Sequence, residues 1–358
     1  MNSVLSKVGH WLESIFNVQQ QGVAESSASV ASEDTIPATE DNRFPCPEGG
    51  YWWEKEIPDP PETVEFESFD GNELFASLSE QLKNDSISLL EMPDHIIKIV
   101  NLLESDDFDY AEIASNIEAS PALYGEFMKI SKSARFSRGI DVADLRQILP
   151  RLGRNTAKSI LYMSTYRMSP PRNEFFRRIT HEVVDHSMVV GRVAEYLSTR
   201  YYHDQSKAFL AGLLHDVGKI VILKDISETK NLPEIPDDTC SEALFREIFK
   251  DFHEKAGETL CKHWDLDSEA TEAVAMHHQE ARFVQEKQKL TALVNLSDTI
   301  SRMLGFGLPI GSVDFFDTPA AMILGIDRSP ETLSFFQDIM ELFEEVDADA
   351  EASALSPA

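Results

Sequence analysis

Residues 209–223 read Phe209-Leu-Ala-Gly-Leu-Leu-His215-Asp216-Val-Gly-Lys219-Ile-Val-Ile-Leu223. This stretch places a His-Asp dipeptide inside a strongly apolar run. Apolar helices rarely bury a histidine and an aspartate unless the two are paired or bind a metal. Adjacent side chains cannot share one face of an ideal helix, but at a helix end or kink both can point at the same ion. The stretch therefore predicts a metal site, and the alternative interpretation is a buried ion pair.

Further candidate ligands lie on both sides of this stretch. Glu182 and His186 are four residues apart and share a helix face, although such a pair could also be a solvated surface pair. His277 and His278 end an apolar-periodic helix, where two adjacent histidines are unusual. Asp298 has apolar neighbours and so needs a partner. The full set of candidate ligands is Glu182, His186, His215, Asp216, His253, His277, His278 and Asp298.

The ligand types narrow the choice of cofactor. Imidazole and carboxylate without thiolate suit Fe, Mn, Zn, Ni or Co, and carboxylates also allow Mg. A pair of such divalent metal ions would activate a water molecule and clamp a phosphoryl group. Lys219 follows His215 by one helical turn and is the candidate catalytic residue, since it could lie near phosphate oxygens. A second His-Asp pair, His203-Asp204, lies in a polar stretch, and we interpret it as a helix start capped by Asp204.

The composition disfavours a nucleic-acid-binding protein, a disulfide-bonded protein and a cysteine-based zinc protein. The 358 residues carry a net charge of −30, which disfavours nucleic acid as a partner, although lysines and arginines cluster between Lys129 and Arg178. The three cysteines, Cys46, Cys240 and Cys261, form no CxxC pair. They predict neither a disulfide framework nor a cysteine-based zinc site, and they fit a reducing compartment.

The sequence predicts neither a membrane span nor a signal peptide. The apolar runs are too short to cross a bilayer, and the N-terminus lacks a basic start with an apolar core. We therefore predict a cytoplasmic protein. Residues 4–18 form an amphipathic pattern that could dock on a partner, contact a membrane surface or pack on its own domain. Lys7 is the only basic residue in that pattern, which weakens the membrane interpretation.

The rest of the chain predicts an all-α protein. Apolar residues recur at helical spacing in 73–82, 94–103, 143–167, 175–200, 243–264, 267–278 and 287–304, and no convincing alternation indicates a sheet. Pro170-Pro171 cannot lie inside a helix without damage and predicts a subdomain boundary. The predicted organisation is an amphipathic helix (1–18), a flexible and partly disordered linker (19–71), a helical domain (72–345, with subdomains 72–169 and 170–310) and an acidic tail (346–358).

Several motifs in fixed order resemble a known family. His186, His215-Asp216 and Asp298 resemble the ligand signature of the HD superfamily of metal-dependent phosphohydrolases. Residues 80–305 resemble one branch of it, the HDOD domain. The matching pieces are Leu89-Leu-Glu-Met-Pro93, Ile117-Glu-Ala-Ser-Pro121-Ala-Leu123, Lys132-Ser-Ala134, Ile148-Leu-Pro-Arg-Leu-Gly153 and His253-x-x-x-Gly257 followed by Trp264 and His277-His278.

The resemblance implies two different functions. HDOD proteins are all-helical bacterial signalling modules, many of which act without catalysis through contacts with partner proteins. The related HD-GYP branch hydrolyses cyclic di-GMP at a metal centre, and the candidate ligands with Lys219 resemble its full set. Residues 224–239 lack the Gly-Tyr-Pro signature that should follow Lys219. The two hypotheses are a signalling module that binds a protein partner, and an active metal-dependent phosphohydrolase on a nucleotide or cyclic dinucleotide.

Overall fold

The computed structural model describes residues 50–54, 57, 71–105, 107–131, 144–168, 173–228, 239–280 and 288–340. Every regular element within these ranges is a helix, which confirms the all-α prediction. The predicted amphipathic helix 1–18, most of the predicted linker, the Pro170-Pro171 boundary and the acidic tail 346–358 lie outside the described residues.

The described residues contain thirteen α-helices. In chain order they are α1 (Gly71–Lys83), α2 (Asp94–Glu104), α3 (Tyr110–Glu118), α4 (Pro121–Ser131), α5 (Leu145–Met168), α6 (Glu174–Tyr201), α7 (Gln205–Leu214), α8 (Val217–Glu228), α9 (Thr239–His263), α10 (Ser268–Met276), α11 (Lys289–Met303), α12 (Pro319–Leu324) and α13 (Pro330–Gln337). Short 3₁₀ helices lie at Trp52–Glu54, Phe315–Asp317 and Asp338–Met340. None of the described helices combines the length and the apolar character needed to cross a membrane. The cytoplasmic location stays a prediction.

The predicted helical segments are found, with one interruption. The segment predicted as a single helix over 143–167 corresponds to α5, which breaks at Gly153, where φ is 76° and ψ is 164°. Glycine adopts this conformation without the steric cost that a Cβ atom would impose. Pro150 lies just before the break, in the first part of α5. Helical periodicity continues across such a break, so spacing alone does not reveal it.

The chain divides into two compact units, residues 1–56 with 327–358 and residues 57–326. Within the smaller unit, the indole N–H of Trp52 donates a hydrogen bond to the carbonyl of Phe336 at 2.9 Å. The Trp52 side chain is buried. This contact joins the N-terminal segment to α13 within that unit.

The larger unit contains one continuous hydrophobic core, which extends from Leu78 in α1 to Val274 in α10. The ring of Tyr162 stacks on Trp264 with 5.3 Å between centroids. The indole N–H of Trp264 also donates to the carbonyl of Leu90 at 3.2 Å. The two predicted subdomains, 72–169 and 170–310, therefore share a core.

Glycines allow two pairs of helices to approach closely. A Cβ atom on Gly212 of α7 would lie only 2.9 Å from the Cα of Gly191 in α6. A Cβ atom on Gly218 of α8 would overlap the carbonyl oxygen of His253 in α9 and lie 2.6 Å from the backbone nitrogen of Gly257. Only residues without a side chain fit at these crossings. Both crossings lie within three residues of the His215-Asp216 dipeptide.

Candidate metal centre

The His215-Asp216 dipeptide lies at the junction of two helices. His215 is the C-terminal cap of α7, and α8 begins at Val217. Both side chains are buried, with exposed fractions of 0% for His215 and 1% for Asp216. The break in the helix lets both side chains reach the same place.

The first group of ligand-type side chains joins this junction to α6 and α11. Nε2 of His186 lies 3.0 Å from Oδ1 of Asp298 and 3.7 Å from Oδ2 of Asp216. Nε2 of His215 lies 3.4 Å from Oδ2 of Asp216 and 3.9 Å from Oδ1 of Asp298. All four side chains are buried. The structure thus brings together four of the predicted ligands.

The second group joins the same aspartate to α9 and to the end of α10. Nε2 of His253 and Nε2 of His277 lie 3.7 and 3.9 Å from Oδ1 of Asp216. His278 supplies a further ring nitrogen, and one ligand atom of each of these four residues lies within 4.8 Å of the others. His278 is exposed, whereas the other three are buried. Asp216 directs Oδ2 to the first group and Oδ1 to the second, so it links the two.

Backbone carbonyls orient the four buried histidines in the same way. In each ring, Nδ1 lies within hydrogen-bond distance of a carbonyl oxygen, which makes Nδ1 the protonated nitrogen of the neutral ring. Nε2 then carries the lone pair, and that atom faces the carboxylates. The acceptors are Phe306 for His186 (3.0 Å), Gly212 for His215 (2.7 Å), Phe249 for His253 and Val274 for His277 (3.0 Å). This arrangement is typical of histidines that bind a metal through Nε2.

The electrostatic environment favours neutral rings in the second group. Burial lowers the pKa of His253 to about 3, although Asp216 opposes the shift. Burial and the neighbouring rings of His278 and His215 hold the pKa of His277 well below its usual value. Both rings are therefore uncharged at neutral pH and present lone pairs to Asp216.

Both central carboxylates are ionised despite their burial. Burial raises the pKa of Asp216, but Lys219 and His215 outweigh this effect and hold the pKa well below its usual range. Burial also opposes ionisation of Asp298, and the contacts with His186 and Arg302 reverse the shift and lower its pKa. Two anionic carboxylates thus lie in the centre, and Asp216 faces the neutral rings of His253 and His277.

Two buried atoms of the centre lack hydrogen-bond partners among the described residues. They are Nε2 of His215 and Oδ1 of Asp216. A buried polar atom without a partner costs free energy, about 1–3 kcal/mol for a neutral group and more for a charged one. A divalent cation would satisfy both atoms, and imidazole with carboxylate is a suitable donor set for it. The residues present therefore fit the predicted metal.

Three polar residues that sequence reasoning missed hold the ligands in place. Oε1 of Glu254 accepts a hydrogen bond from the backbone N–H of His278 at 2.9 Å. The side-chain amide of Asn295 donates to the carbonyl of His277 at 2.8 Å. Nη1 of Arg302 lies 3.6 Å from Oδ2 of Asp298. Helical i,i+4 spacing could have indicated Arg302, whereas the other two contacts join separate helices and leave no pattern in the sequence.

Two predicted site residues, Glu182 and Lys219, are not members of either group. Oε1 of Glu182 accepts a hydrogen bond from Nη1 of Arg178 at 3.0 Å, and the Glu182 side chain is exposed. The structure does not bring Glu182 into either group. Nζ of Lys219 lies 2.5 Å from Oδ2 of Asp216 and is partly exposed. Lys219 is therefore adjacent to the centre, and its catalytic role stays a prediction.

The second His-Asp pair has the predicted structural role. The Asp204 side chain accepts a hydrogen bond from the backbone N–H of Lys207 at 2.9 Å and caps α7. His203 is exposed and has a φ of 71°. Helix capping therefore accounts for Asp204 without a metal.

Comparison with known proteins identifies relatives of this fold. The sequence model of the HDOD domain family matches residues 89–280 of this chain. An HDOD domain protein of unknown function from Geobacter sulfurreducens has a TM-score of 0.56 at 20% identity, covering 78% of this chain and 99% of that one. A candidate metal-dependent phosphohydrolase from Shewanella amazonensis SB2B has a TM-score of 0.53 at 19% identity, covering 71% and 98%. At these identities the likeness shows a shared fold.

Two further matches extend the comparison. A candidate signal transduction protein from Marinobacter aquaeolei VT8 has a TM-score of 0.50 at 16% identity, covering 79% of this chain and 65% of that one. Among curated proteins, an uncharacterized protein from Treponema pallidum is 21% identical over 243 residues, which make up 64% of this chain. The chain spans only 45% of that relative's length.

Proposed function

The chain belongs to the HDOD domain family, and we propose that it is a signalling module of that family which binds two divalent metal ions. One observation carries the proposal. The buried histidines His186, His215, His253 and His277 all present Nε2 to two ionised aspartates, while Nδ1 of each is held by a backbone carbonyl. A protein that acted only through its surface would not need this buried and polar arrangement, which costs free energy without a cation.

The two groups would each hold one ion. His186, His215, Asp216 and Asp298 form the first site, and Asp216, His253, His277 and His278 form the second. When bound, a pair of divalent ions supplies positive charge that can polarise a phosphoryl group and lower the pKa of water. The chain's own residues fix the ligand nitrogens, keep the two carboxylates ionised and enclose them away from solvent.

A protein partner is the expected target of the signalling role. The Marinobacter relative of similar fold is a candidate signal transduction protein, which supports a regulatory role here. The net charge of −30 disfavours nucleic acid as the partner. A membrane contact through residues 4–18 stays a prediction, since those residues lie outside the described part of the chain.

A second function, hydrolysis of a phosphate ester, is favoured by the cations around the centre. Lys219 contacts Asp216, and Arg302 lies beside Asp298. Both cations are partly exposed and His278 is exposed, so an anion could approach from solvent on the side of these residues. In this second role Lys219 would bind a phosphate oxygen of a nucleotide or cyclic dinucleotide. The fold relative from Shewanella, a candidate metal-dependent phosphohydrolase, is consistent with such an activity.

Metal analysis of the full chain tests the first proposal. The protein is purified without chelator and without nickel affinity, and bound metals are measured by mass spectrometry. We expect divalent metal in wild type and in Glu182→Gln, and none in Asp216→Ala. A folded wild-type protein that stays metal-free after incubation with Mn, Fe, Zn, Ni, Co and Mg would exclude the metal centre and the phosphohydrolase, and would leave a signalling module that acts without metal.

Turnover assays then separate the two functions. The metal-loaded protein is incubated with a panel of nucleotides, cyclic dinucleotides and model phosphate esters. Hydrolysis that disappears in Asp216→Ala while its fold persists would identify a phosphohydrolase. Lys219→Ala should then raise KM or lower kcat while the metal content stays unchanged. If metal is bound but no compound is hydrolysed, the signalling module is the function that remains.

A further inference from the structure

The loop of residues 305–308 follows α11 and contacts His186 of the candidate metal centre and Arg302, which lies beside Asp298. We infer that this loop is a clamp that holds His186 directly, and Asp298 through Arg302, in the geometry needed for the first site. Gly307 is the positioning residue on which the clamp depends. The inference rests on the proposed metal centre and assigns a role to residues that neither bind a metal nor touch a substrate.

The first arm of the clamp is the contact with His186. Nδ1 of His186 lies 3.0 Å from the carbonyl oxygen of Phe306, which is 120 residues away in the chain. The other three buried histidines use carbonyls that precede them by three or four residues. The orientation of His186 therefore depends on the loop, whereas the other three rings are oriented within their own helices.

The second arm acts on Asp298. Nε of Arg302 donates a hydrogen bond to the carbonyl of Leu308 at 2.9 Å. Nη1 of the same guanidinium lies 3.6 Å from Oδ2 of Asp298. Oδ1 of Asp298 is the atom 3.0 Å from Nε2 of His186. The carbonyl of Phe306 thus holds His186 directly, and the carbonyl of Leu308 holds Asp298 through Arg302. His186 and Asp298 are the two side chains that meet at the first site.

Gly307 lies between the two arms and leaves no room for a side chain. Its φ is +106°, a conformation that residues with a Cβ atom rarely adopt. A Cβ atom there would lie 2.9 Å from Nδ1 of His186 and 3.4 Å from Cγ of Arg302. Gly305 also has a positive φ, of 86°. The loop can approach the imidazole closely enough for the Phe306 carbonyl to accept its hydrogen bond only because residue 307 is a glycine.

Binding of Mn²⁺ to the full-length protein tests the clamp. We compare wild type, Gly307→Ala and the matched control Gly325→Ala by isothermal titration calorimetry, with circular dichroism to verify folding. Gly325 also has a positive φ, +69°, but a Cβ atom on it would meet nothing within 4 Å. We expect Gly307→Ala to weaken one class of Mn²⁺ site by about 10- to 100-fold, the usual effect of losing a residue that orients a ligand. The control should bind as wild type does.

A second measurement reports the position of His186 without any metal. In chelator-treated protein, ¹H–¹⁵N spectra of the imidazoles should show His186 protonated at Nδ1. Gly307→Ala should shift that ring towards a mixture of tautomers, while the rings of His215, His253 and His277 keep theirs. A role of Gly307 in overall stability alone would leave the tautomer of the folded protein unchanged.

The outcomes separate the clamp from the metal centre. If wild type binds Mn²⁺ and folded Gly307→Ala binds it equally well, the clamp is wrong and the metal centre stands. If wild type binds no metal, both are wrong. If Gly307→Ala does not fold, Arg302→Met tests the second arm without a backbone change. Unchanged Mn²⁺ affinity in Arg302→Met would then overturn the clamp.

Discussion

The Nε2 atoms of His253 and His277 lie 3.3 Å apart, and both face Oδ1 of Asp216. Because the Nδ1 atom of each ring is held by a carbonyl, a neutral pair would point two lone pairs at each other. Such a contact is favourable only when a cation or an added proton lies between the nitrogens and the carboxylate. Burial lowers the pKa of both rings, which disfavours the added proton. The proposed metal ion would satisfy the contact.

Removal of the proposed metal should therefore destabilise the fold. A ligand that binds only the native state and is present at a hundred times its Kd adds about 2.7 kcal/mol to the free energy of unfolding. We expect excess chelator to lower the Tm of metal-loaded protein, as followed by circular dichroism. Glu182→Gln is the matched control and should respond as wild type does, since Glu182 pairs with Arg178 instead. An identical Tm with and without chelator would argue against a metal that stabilises the fold.

The shared carboxylate predicts unequal effects of two ligand substitutions. Asp216 contacts both groups, whereas His186 contacts only the first. Asp216→Ala should abolish binding of both ions, and His186→Ala should abolish or weaken binding of one. Metal content per chain, measured after equilibrium dialysis against Mn²⁺, distinguishes the two results. Equal loss in both variants would show that the groups do not act as two sites.

The closest helix crossing should tolerate no side chain. Gly218→Ala would force a Cβ atom into the carbonyl of His253, so α8 and α9 must separate. Overpacking of this kind costs about 1–3 kcal/mol and occasionally more, and we expect the upper end here because the obstacle is backbone. Urea denaturation of chelated protein measures the loss without a contribution from metal.

A control for this substitution is available in α4. Gly125 is exposed, and a Cβ atom on it would meet nothing within 4 Å. Gly125→Ala should stabilise the protein by roughly 0.5–1 kcal/mol, because alanine is a better helix former than glycine. Equal stability changes in the two variants would contradict the close crossing at Gly218.

The buried carboxylate of Asp225 predicts one pH dependence. Burial raises the pKa of Asp225, although a hydrogen bond from the backbone N–H of Ser88 at 2.8 Å opposes the shift. A carboxyl group whose pKa is higher in the folded state destabilises the fold progressively as pH rises from the ordinary value through the raised one. Asp225→Asn keeps an acceptor for Ser88 and removes the charge. The stability of this variant relative to wild type should therefore increase with pH across that window, as measured by urea denaturation.

The neighbouring Glu228 should show the opposite sign. Hydrogen bonds from Lys224 and Ser88, at 2.8 and 2.7 Å, lower the pKa of Glu228. A carboxyl group with a lowered pKa stabilises the fold above its ordinary value, and that contribution is lost as pH falls through the lowered one. Glu228→Gln should be less stable than wild type at neutral pH and equal to it in sufficiently acidic solution. The same sign of pH dependence in Asp225→Asn and Glu228→Gln would contradict these assignments.

Local patterns predicted most of the helices and most of the residues that meet at the candidate metal centre. His215-Asp216 and His277-His278 stand out because ligand-type residues interrupt or end apolar helical periodicity. The same periodicity could not predict how the helices meet. Their convergence depends on glycine crossings such as Gly218 against His253, which are contacts between separate helices. The clamp at Gly307 depends on a contact across 120 residues.

Glu182 illustrates the limit of helical spacing. An i,i+4 relation to His186 places the two residues on one side of α6, one turn apart. Spacing does not tell which turn lies over the centre and which lies beyond it. In the structure His186 is buried against Asp298, whereas one turn earlier Glu182 is exposed and pairs with Arg178. The deciding factor is the length of α6 that the neighbouring helices cover.

The four buried histidines differ in how far along the chain their carbonyl acceptors lie, and this difference sets an order for their assembly during folding. His215, His253 and His277 each receive their orientation from a carbonyl one turn earlier, and such local contacts close quickly because they need little loop closure. His186 must wait until α6 has met the residues that follow α11, since its acceptor is Phe306. We expect His186 to be the last of these four rings to acquire its native orientation. The first site would then mature later than the second, and ions that arrive early would encounter the second site first.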